Sequence, residues 1–250
     1  MPRWLAVTIP TLPLTGERTL PGIWHENCWF RRHEAGYRWA VTTFGTGARG
    51  IVVEAGVGEG YGTALLARAG ADQVLGLDLD RPTLRHLRTV HPGIAAAGAN
   101  LVALPLADRA VDVVVSAQTV EHLWDQDRFV AECARVLRPG GRLLLTTPNR
   151  RTFPSGNPFH SRELDATEVT DLVAGHLEVD AVQGLHHGRR LHDIDAAEGD
   201  AGGIVTAQLA TTYDRWHPHL ADAVRSVAAD DFAVGPADGC LDLLLVATRR

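Results

Sequence analysis

Lysine is absent from this chain: all 24 basic residues are arginine. That excludes a P-loop of the Walker type and any Schiff-base chemistry, since both need the lysine amine. Cysteine is scarce as well. Cys28, Cys133 and Cys240 are odd in number and far apart, so there is neither a zinc spacing nor a Cys-x-x-Cys redox pair. Buried or neutral thiols in a reducing cytosol are expected instead. No apolar run approaches the ~20 residues of a membrane span. The N-terminus, Met1-Pro-Arg-Trp4 and broken at Pro10 and Pro13, lacks the apolar core of a signal peptide. A nucleic-acid partner calls for a basic footprint, and the net charge is -6.

What is present describes an ordinary globular protein, 45% hydrophobic and 22% charged. Its 250 residues suffice for one well-buried domain. A cytoplasmic protein is expected, with the oligomeric state open and a homodimer among the options. Residues 1–20 are rich in Pro and Thr and read as extended. Residues 24–43 are aromatic and charged, with helical character toward the end. Strands and helices then alternate: strand 51–55, helix 60–70, strand 74–78, helix 81–90, a weak strand near 94–98, strand 111–116, helix 125–137 and strand 142–147. Such alternation means a parallel sheet with crossover helices. Val111-Asp-Val-Val-Val-Ser116 is nearly all apolar, as a strand buried on both faces requires. In Arg138-Pro-Gly-Gly141 the glycine is read as the left-handed cap of the preceding helix. A helix over 161–174, a strand over 177–182 and a last strand over 241–248 follow. Between the last two, an insertion over 186–239 is too long for a plain connection and is expected to hold helix around 204–229.

Residues 52–60, Val-Val-Glu-Ala-Gly-Val-Gly-Glu-Gly, concentrate the information. An apolar strand ends in an acid, and Gly56, Gly58 and Gly60 follow, a turn in which backbone approaches a ligand closely. Val74-Leu-Gly-Leu-Asp78 is a second such strand, with Asp78 placed to hold both hydroxyls of a ribose. The dinucleotide fingerprint G-x-G-x-x-G fails in every frame: its sixth place falls on Tyr61, Thr63 or Leu65. Glu54 and Glu59 flank the loop, so a cationic ligand suits it better than a pyrophosphate. S-adenosylmethionine carries a sulfonium and an ammonium, and no phosphate.

The ordered pieces resemble the class I S-adenosylmethionine-dependent methyltransferases. They are Glu54-Ala-Gly-Val-Gly-Glu-Gly60, Asp78, Asn100-Leu-x-x-Leu-Pro-Leu106, Val111-Asp-Val-Val-Val-Ser116, Glu121-His122 and Arg135-Val-Leu-Arg-Pro-Gly-Gly-Arg-Leu143. A closer resemblance extends to the flanks through Gly16-Glu-Arg-Thr19, Glu26-Asn-x-Trp-Phe-Arg-Arg-His33, Glu121-His-Leu-Trp-Asp-Gln126, Asn157-Pro-Phe-His160 and Gly184-Leu-x-His-Gly-x-Arg-Leu191. Those stretches are similar to an actinobacterial family proposed to O-methylate glucose units of methylglucose lipopolysaccharide, a cytoplasmic α-glucan. The match weakens over 195–240. The resemblance implies a Rossmann-like, seven-stranded, mostly parallel sheet flanked by helices, in one domain over 1–250. Residues 1–45 are an N-terminal lid, 46–150 the cofactor-binding core, and 151–250 the acceptor half with the insertion. It also implies S-adenosylmethionine as cofactor, and a small-molecule or oligosaccharide acceptor, with the 6-hydroxyl of glucose in an α-glucan as preferred target. Two other readings stay open. One is O-methylation of a different small molecule, such as a glycosylated natural product or a phenol. The other is a non-catalytic cofactor-binding protein.

Site candidates follow. Glu54, Gly56, Gly58, Gly60, Asp78, Leu79, Asn100, Leu101 and Gln118 are assigned to the cofactor. Asn100 stands where many of the family carry Asp, and its carbonyl can still accept the adenine amine. For Glu54 a loop-stabilising role is the alternative, and for Gln118 a solvated loop residue. In-line methyl transfer to an alcohol requires alignment of two centres, which supplies ~7–11 kcal/mol, and removal of a proton, for which a positioned base gives ~10²–10⁴-fold. Glu121, His122 and His160 are the catalytic candidates, with one histidine as base. A structural histidine is the bland alternative for His122. His25, His186, His187 and His192 are weaker candidates, and Trp24, Trp29 and Phe30 form either a lid or a hydrophobic clasp. A divalent ion such as Mg2+, with Glu121, His122 and Asp125 as ligands, is compatible with the chain but not expected, because Gln118 stands where a carboxylate would strengthen it.

Overall fold

The computed structural model describes residues 12–14, 17–45, 50–152, 157–198, 203–204 and 212–250. Eight strands form one sheet: β1 (Ile51–Ala55), β2 (Gln73–Asp78), β3 (Ala95–Gly98), β4 (Val111–Ala117), β5 (Leu137–Pro148), β6 (Glu178–His187), β7 (Phe232–Pro236) and β8 (Asp242–Thr248). Their order is β3-β2-β1-β4-β5-β8-β6-β7. β1 to β5 pair in parallel, β8 runs antiparallel between β5 and β6, and β7 antiparallel to β6. The expected seven strands are thus eight. The additional one is β7, Phe-Ala-Val-Gly-Pro, a run cut short by Gly and Pro. It lies at the sheet edge with only Phe232 buried, so it needs none of the apolar alternation that marks a strand.

The apolar runs of β1 and β4 feed two layers, because successive side chains point to opposite faces. On one face Val53, Ala55 and Val114 pack with Phe129 and Cys133 of α4 (Gln126–Val136) and Val169 of α5 (Ala166–Ala174). On the other, Val52, Val113 and Val115 pack with Tyr37, Trp39 and Phe44 of α1 (Asn27–Phe44) and Leu66 of α2 (Tyr61–Arg68). All three cysteines are buried and free. No helix among the described residues is long and apolar enough to cross a membrane.

Local chemistry sets the helix ends. Asp80, not Asp78, caps α3 (Arg81–Val90), accepting from the Thr83 N–H at 3.2 Å. Asp125 caps α4, accepting from Arg128 N–H at 3.0 Å. Asp165 and Glu168 exchange side-chain and backbone bonds at the start of α5, which therefore begins later than the expected residue 161. The glycine expected to cap α4 does something else. α4 ends at Val136, and Gly140, at φ 77, turns within β5 and donates its N–H to Arg249 O at 2.7 Å. The turn accompanies a register shift opposite Val111 and Val113.

In the insertion, α6 (Arg189–Glu198) and α7 (Pro218–Ser226) flank a turn at Tyr213–Arg215. α6 was not expected from its His- and Asp-rich sequence, and it reaches the core through Leu191 and Ile194. Of the helix expected over 204–229, the described residues show α7 and a helical Ile204. Residues 205–211 of it, and residues 1–11, 15 and 16 of the expected extended N-terminus, lie outside the described residues.

The start of α1 is docked on the insertion. Asn27 Nδ2 donates to Val224 O and Val227 O, both at 2.9 Å, and the Arg225 guanidinium lies 4.0 Å from the Trp24 ring centre. One turn on, Arg32 ties α1 to the head of β8. It donates through Nε to Asp242 Oδ2 at 2.6 Å and through Nη2 to Asp242 Oδ1 and to Leu241 O, the latter at 3.1 Å. The pair is buried, with side chains 4% and 2% exposed, so loss of one partner strands the other charge. Arg32→Ala is expected to lower unfolding free energy by ~3–5 kcal/mol, read from the urea midpoint. An unchanged midpoint would show that the pair does not hold α1 to the sheet.

Candidate active site

A cleft of about 1430 Å³ opens where β1, β2, β3, β4 and β5 end. The segment after each strand contributes wall: Gly56 to Glu59 after β1, Asp78 and Leu79 at β2, Asn100 and Leu101 after β3, Ala117 to Thr119 at β4, and Pro148 at β5. The strand order places β1 and β4 side by side at the switch point, where open α/β sheets bind ligands.

The three glycines of the loop have separate tasks. Gly56, at φ 90, donates its N–H to Leu77 O at 2.9 Å, and a Cβ there would stand 2.4 Å from Thr119 Oγ1. Gly58, at φ 49, lines the cleft, and a Cβ there would meet no atom within 4 Å, so it would project into open space. Gly60 does not line the cleft; its Cβ would strike Leu87 Cδ1 at 2.2 Å, which makes it a packing position against α3. The Gly58 N–H donates to Asp78 Oδ2 at 3.3 Å and the Asp80 N–H to Asp78 Oδ1 at 2.9 Å. Those bonds orient the carboxylate and leave lone pairs on both oxygens for a diol. Burial raises the Asp78 pKa, and the two N–H groups oppose it.

Leu79 is 74% exposed at the rim, whereas Leu101 is buried in the wall. Asn100 lines the cleft, with its carbonyl accepting the Val102 N–H at 3.2 Å. Gln118 adopts φ 50, rare for a residue with a side chain. Its backbone N–H donates to Thr146 O at 2.9 Å, and its side-chain amide to Thr146 Oγ1 at 3.3 Å. Strain of ~1–3 kcal/mol at such a residue concentrates at functional sites. Glu54 lies beneath the loop rather than in the wall. It is fully buried and accepts from Tyr37 OH at 2.5 Å and from Thr63 Oγ1.

Opposite the glycine loop, two distant stretches converge. Val120–His122 is a single helical turn after β4, and Asn157 to His160 belong to the loop after β5. Ser161 and Arg162 N–H groups donate to Glu121 O at 2.7 and 3.2 Å, and Ser161 Oγ donates to His122 O at 3.1 Å. This brings the His122 and His160 rings to 4.8 Å between centres, edge to face. Phe159 O can only accept, so His122 Nδ1 carries the proton of their 3.0 Å bond and Nε2 keeps its lone pair. His160 donates through Nδ1 to Glu163 Oε1 at 2.5 Å, and its Nε2 accepts from Asn157 Nδ2 at 3.1 Å. Glu121 is 1% exposed, with Oε2 accepting from Thr147 Oγ1 at 3.0 Å and Oε1 lacking a hydrogen-bond partner among the described residues. Burial pushes Glu121 up to about 7. Burial, then the neighbouring His160, lowers His122.

Of the weaker histidines only His187 lines the cleft. His25 stacks on Tyr213 at 4.1 Å, and His186 Nε2 bonds Pro236 O at 2.7 Å. Trp29 lines the cleft, Trp24 packs against the insertion, and Phe30 packs against Tyr61 at 4.8 Å. Asp125, as a helix cap, is separate from the Glu121 cluster. The sequence reading missed His33 and Tyr37, which also line the cleft. Their signal was present: Trp29, His33 and Tyr37 recur every fourth residue, one face of α1.

The described family "Methyltransferase domain" matches residues 53–145. A Mycolicibacterium smegmatis protein named as a probable S-adenosylmethionine-dependent methyltransferase is 48% identical over 95% of this chain and 95% of its own length. One of the same description from Mycobacterium tuberculosis is 47% identical over 95% of this chain and 90% of its own. The chain belongs to the S-adenosylmethionine-dependent methyltransferases. A geranyl diphosphate methyltransferase solved with its cofactor shares the fold, at TM-score 0.61 and 17% identity over 92% of both chains.

The methyltransferase fits its cofactor in its own geometry: the open space at Gly58, the oriented Asp78 carboxylate, and a pocket wall of Leu79 and Leu101 without cationic side chains in the loop. S-adenosylmethionine supplies the activated methyl group. Glu54 bears on this site through the loop it supports. Burial raises it to about 7 from 4.5, against the opposing bonds from Thr63 and Tyr37. A carboxyl raised in the folded state favours folding below its unfolded pKa, and that contribution is lost as pH climbs through about 7. Thermal stability is therefore expected to fall over this window, and Glu54→Gln to flatten the fall. A variant whose pH profile overlays the parent's would show that Glu54 does not titrate there.

Proposed function

We propose that this methyltransferase transfers a methyl group to a sugar hydroxyl, with the 6-hydroxyl of glucose in an α-glucan of the methylglucose lipopolysaccharide type as target, in the cytoplasm. The observation that carries O-methylation is the free Nε2 lone pair of His122 in the cleft wall, with its other nitrogen committed to Phe159 O at 3.0 Å. An alcohol must lose its proton as the new C–O bond forms. His122 accepts that proton, and the Glu121 carboxylate beside it stabilises the resulting imidazolium. His160 has both ring nitrogens occupied and serves to place His122. Gly56, Gly58, Asp78, Leu79, Asn100, Leu101 and Gln118 hold the cofactor, with Glu54 and Gly60 shaping the loop from behind.

The sugar part rests on the resemblance of the flanking stretches and is supported by the acceptor side of the cleft. Trp29 lines it, together with Arg150, Arg151, Thr152 and Asn157, a polar wall suited to several hydroxyls. Trp124 stands 92% exposed two residues past His122, an aromatic face of the kind on which a pyranose stacks. In this reading residues 1–45 cap the cleft, 46–150 hold the cofactor and 151–250, including the insertion 186–239, select the acceptor.

The test is methyl transfer from labelled S-adenosylmethionine to short α-glucans, with the methylated position mapped. Labelled 6-O-methylglucose is expected; cofactor binding without glucan labelling would discard this acceptor. His122→Ala is expected to lower kcat by ~10²–10⁴-fold while leaving cofactor affinity unchanged, and full turnover in the variant would remove His122 as base. Asp78→Ala is expected to act on the other substrate, weakening cofactor binding by ~1.5–3 kcal/mol in calorimetric titration.

A further inference from the structure

We propose that Glu121, His122 and His160 form a binding site for one divalent transition-metal ion, which the sequence was compatible with but gave no reason to expect. One donor atom from each of the three lies within 4.8 Å of the others. A second observation points to a ligand. Glu121 is 1% exposed, yet its Oε1 has no hydrogen-bond partner among the described residues. A buried carboxylate oxygen left this way is costly unless something binds it.

The surrounding bonds are those that orient metal ligands. Metal-bound histidines donate their second ring nitrogen to a carbonyl or carboxylate, which fixes the tautomer. His122 donates Nδ1–H to Phe159 O at 3.0 Å, and His160 donates Nδ1–H to Glu163 Oε1 at 2.5 Å. Each Nε2 is thereby the lone-pair nitrogen. The Glu163 side chain is itself only 4% exposed, so this outer partner is held in place. Ligand bonds of ~2.0–2.2 Å require the three donors to close around the ion. The group that yields is Asn157, whose amide donates to His160 Nε2 at 3.1 Å.

Two imidazoles and one carboxylate select Zn2+, Co2+, Fe2+ or Mn2+ rather than the oxygen-seeking Mg2+ or Ca2+. All three residues line the cleft, so a coordination position stays open toward the acceptor. This inference concerns the same side chains as the proposed base, and the two compete for one lone pair: His122 Nε2 cannot hold an ion and take a proton together.

The experiment is calorimetric titration of the untagged, chelator-treated protein with Zn2+, paired with Co2+ titration followed by visible absorption. One equivalent is expected, with a low-symmetry Co2+ spectrum, lost in His160→Ala and in Glu121→Gln. Glu163→Gln, which removes no ligand, is expected to weaken the ion by ~10–100-fold. Retained S-adenosylmethionine binding certifies that each variant is folded. No stoichiometric binding by the parent, or binding unchanged in His160→Ala, overturns the site. Activity separates the two readings. Inhibition by Zn2+ that a chelator reverses fits both the site and the His122 base. Activation by the ion keeps the site and retires His122 as base.

Discussion

A buried carboxylate at the end of β1 organises this molecule. Glu54 sits where the sheet, α1 and α2 meet, and it takes a hydroxyl from each helix: Tyr37 from α1 and Thr63 from α2. Gly62 must be a glycine for this joint to close, since a Cβ there would stand 2.1 Å from Tyr37 Cζ and 2.6 Å from Glu54 Oε1. The glycine loop runs directly over it. The position of that loop is thus set by a carboxyl group that never reaches the cleft. Burying such a group is unfavourable unless its lone pairs are met, so the two hydroxyls and the absent side chain at 62 act as one unit.

The same logic recurs five residues earlier on α1, where Arg32 meets Asp242. Two buried polar joints, one to β1 and one to β8, fix a single helix across both halves of the sheet. α1 therefore carries Trp29, His33 and Tyr37 along the cleft between the glycine loop and the β5–α5 loop. Its first turn also docks on α7, which couples the insertion to the cleft. Relative placement of the two cleft walls then depends on one rigid element rather than on loop packing, as alignment-dependent transfer requires.

On the side of the cleft opposite the glycine loop the decisive constraint is backbone pairing between loops. Glu121 O receives two N–H groups from the chain beyond His160, and Gln126 Nε2 bridges Val120 O at 2.9 Å and Arg162 O at 2.8 Å. These bonds turn a sequence separation of 38 residues between His122 and His160 into ring contact. The positive φ of Gln118 is part of the same device. It bends the chain sharply as β4 ends, so that the Glu121-His122 turn faces the cleft instead of continuing along the strand.

Much of this was determined locally and could be read from the chain. The β1 and β4 runs, the glycine loop and Asp78 at the end of β2 each express a short-range rule of burial or hydrogen bonding, so neighbouring residues suffice to reveal them. The eighth strand was not legible, because an exposed edge segment ended by Gly and Pro carries no periodic signal. α6 was hidden by its polar composition, and Gly140 was mistaken for a helix cap because a left-handed glycine serves turns and caps alike. The tasks of the three loop glycines also required the fold, since Thr119, Leu87 and open space are neighbours only in three dimensions. So did the place of Glu54, in the joint beneath the loop rather than in the cleft wall. The pairing of His122 with His160 and, among the described residues, the unpartnered Oε1 of Glu121 were decided by tertiary structure alone. Hydrogen bonding and desolvation act over a few ångströms, and the groups that supply them here come from segments tens of residues apart.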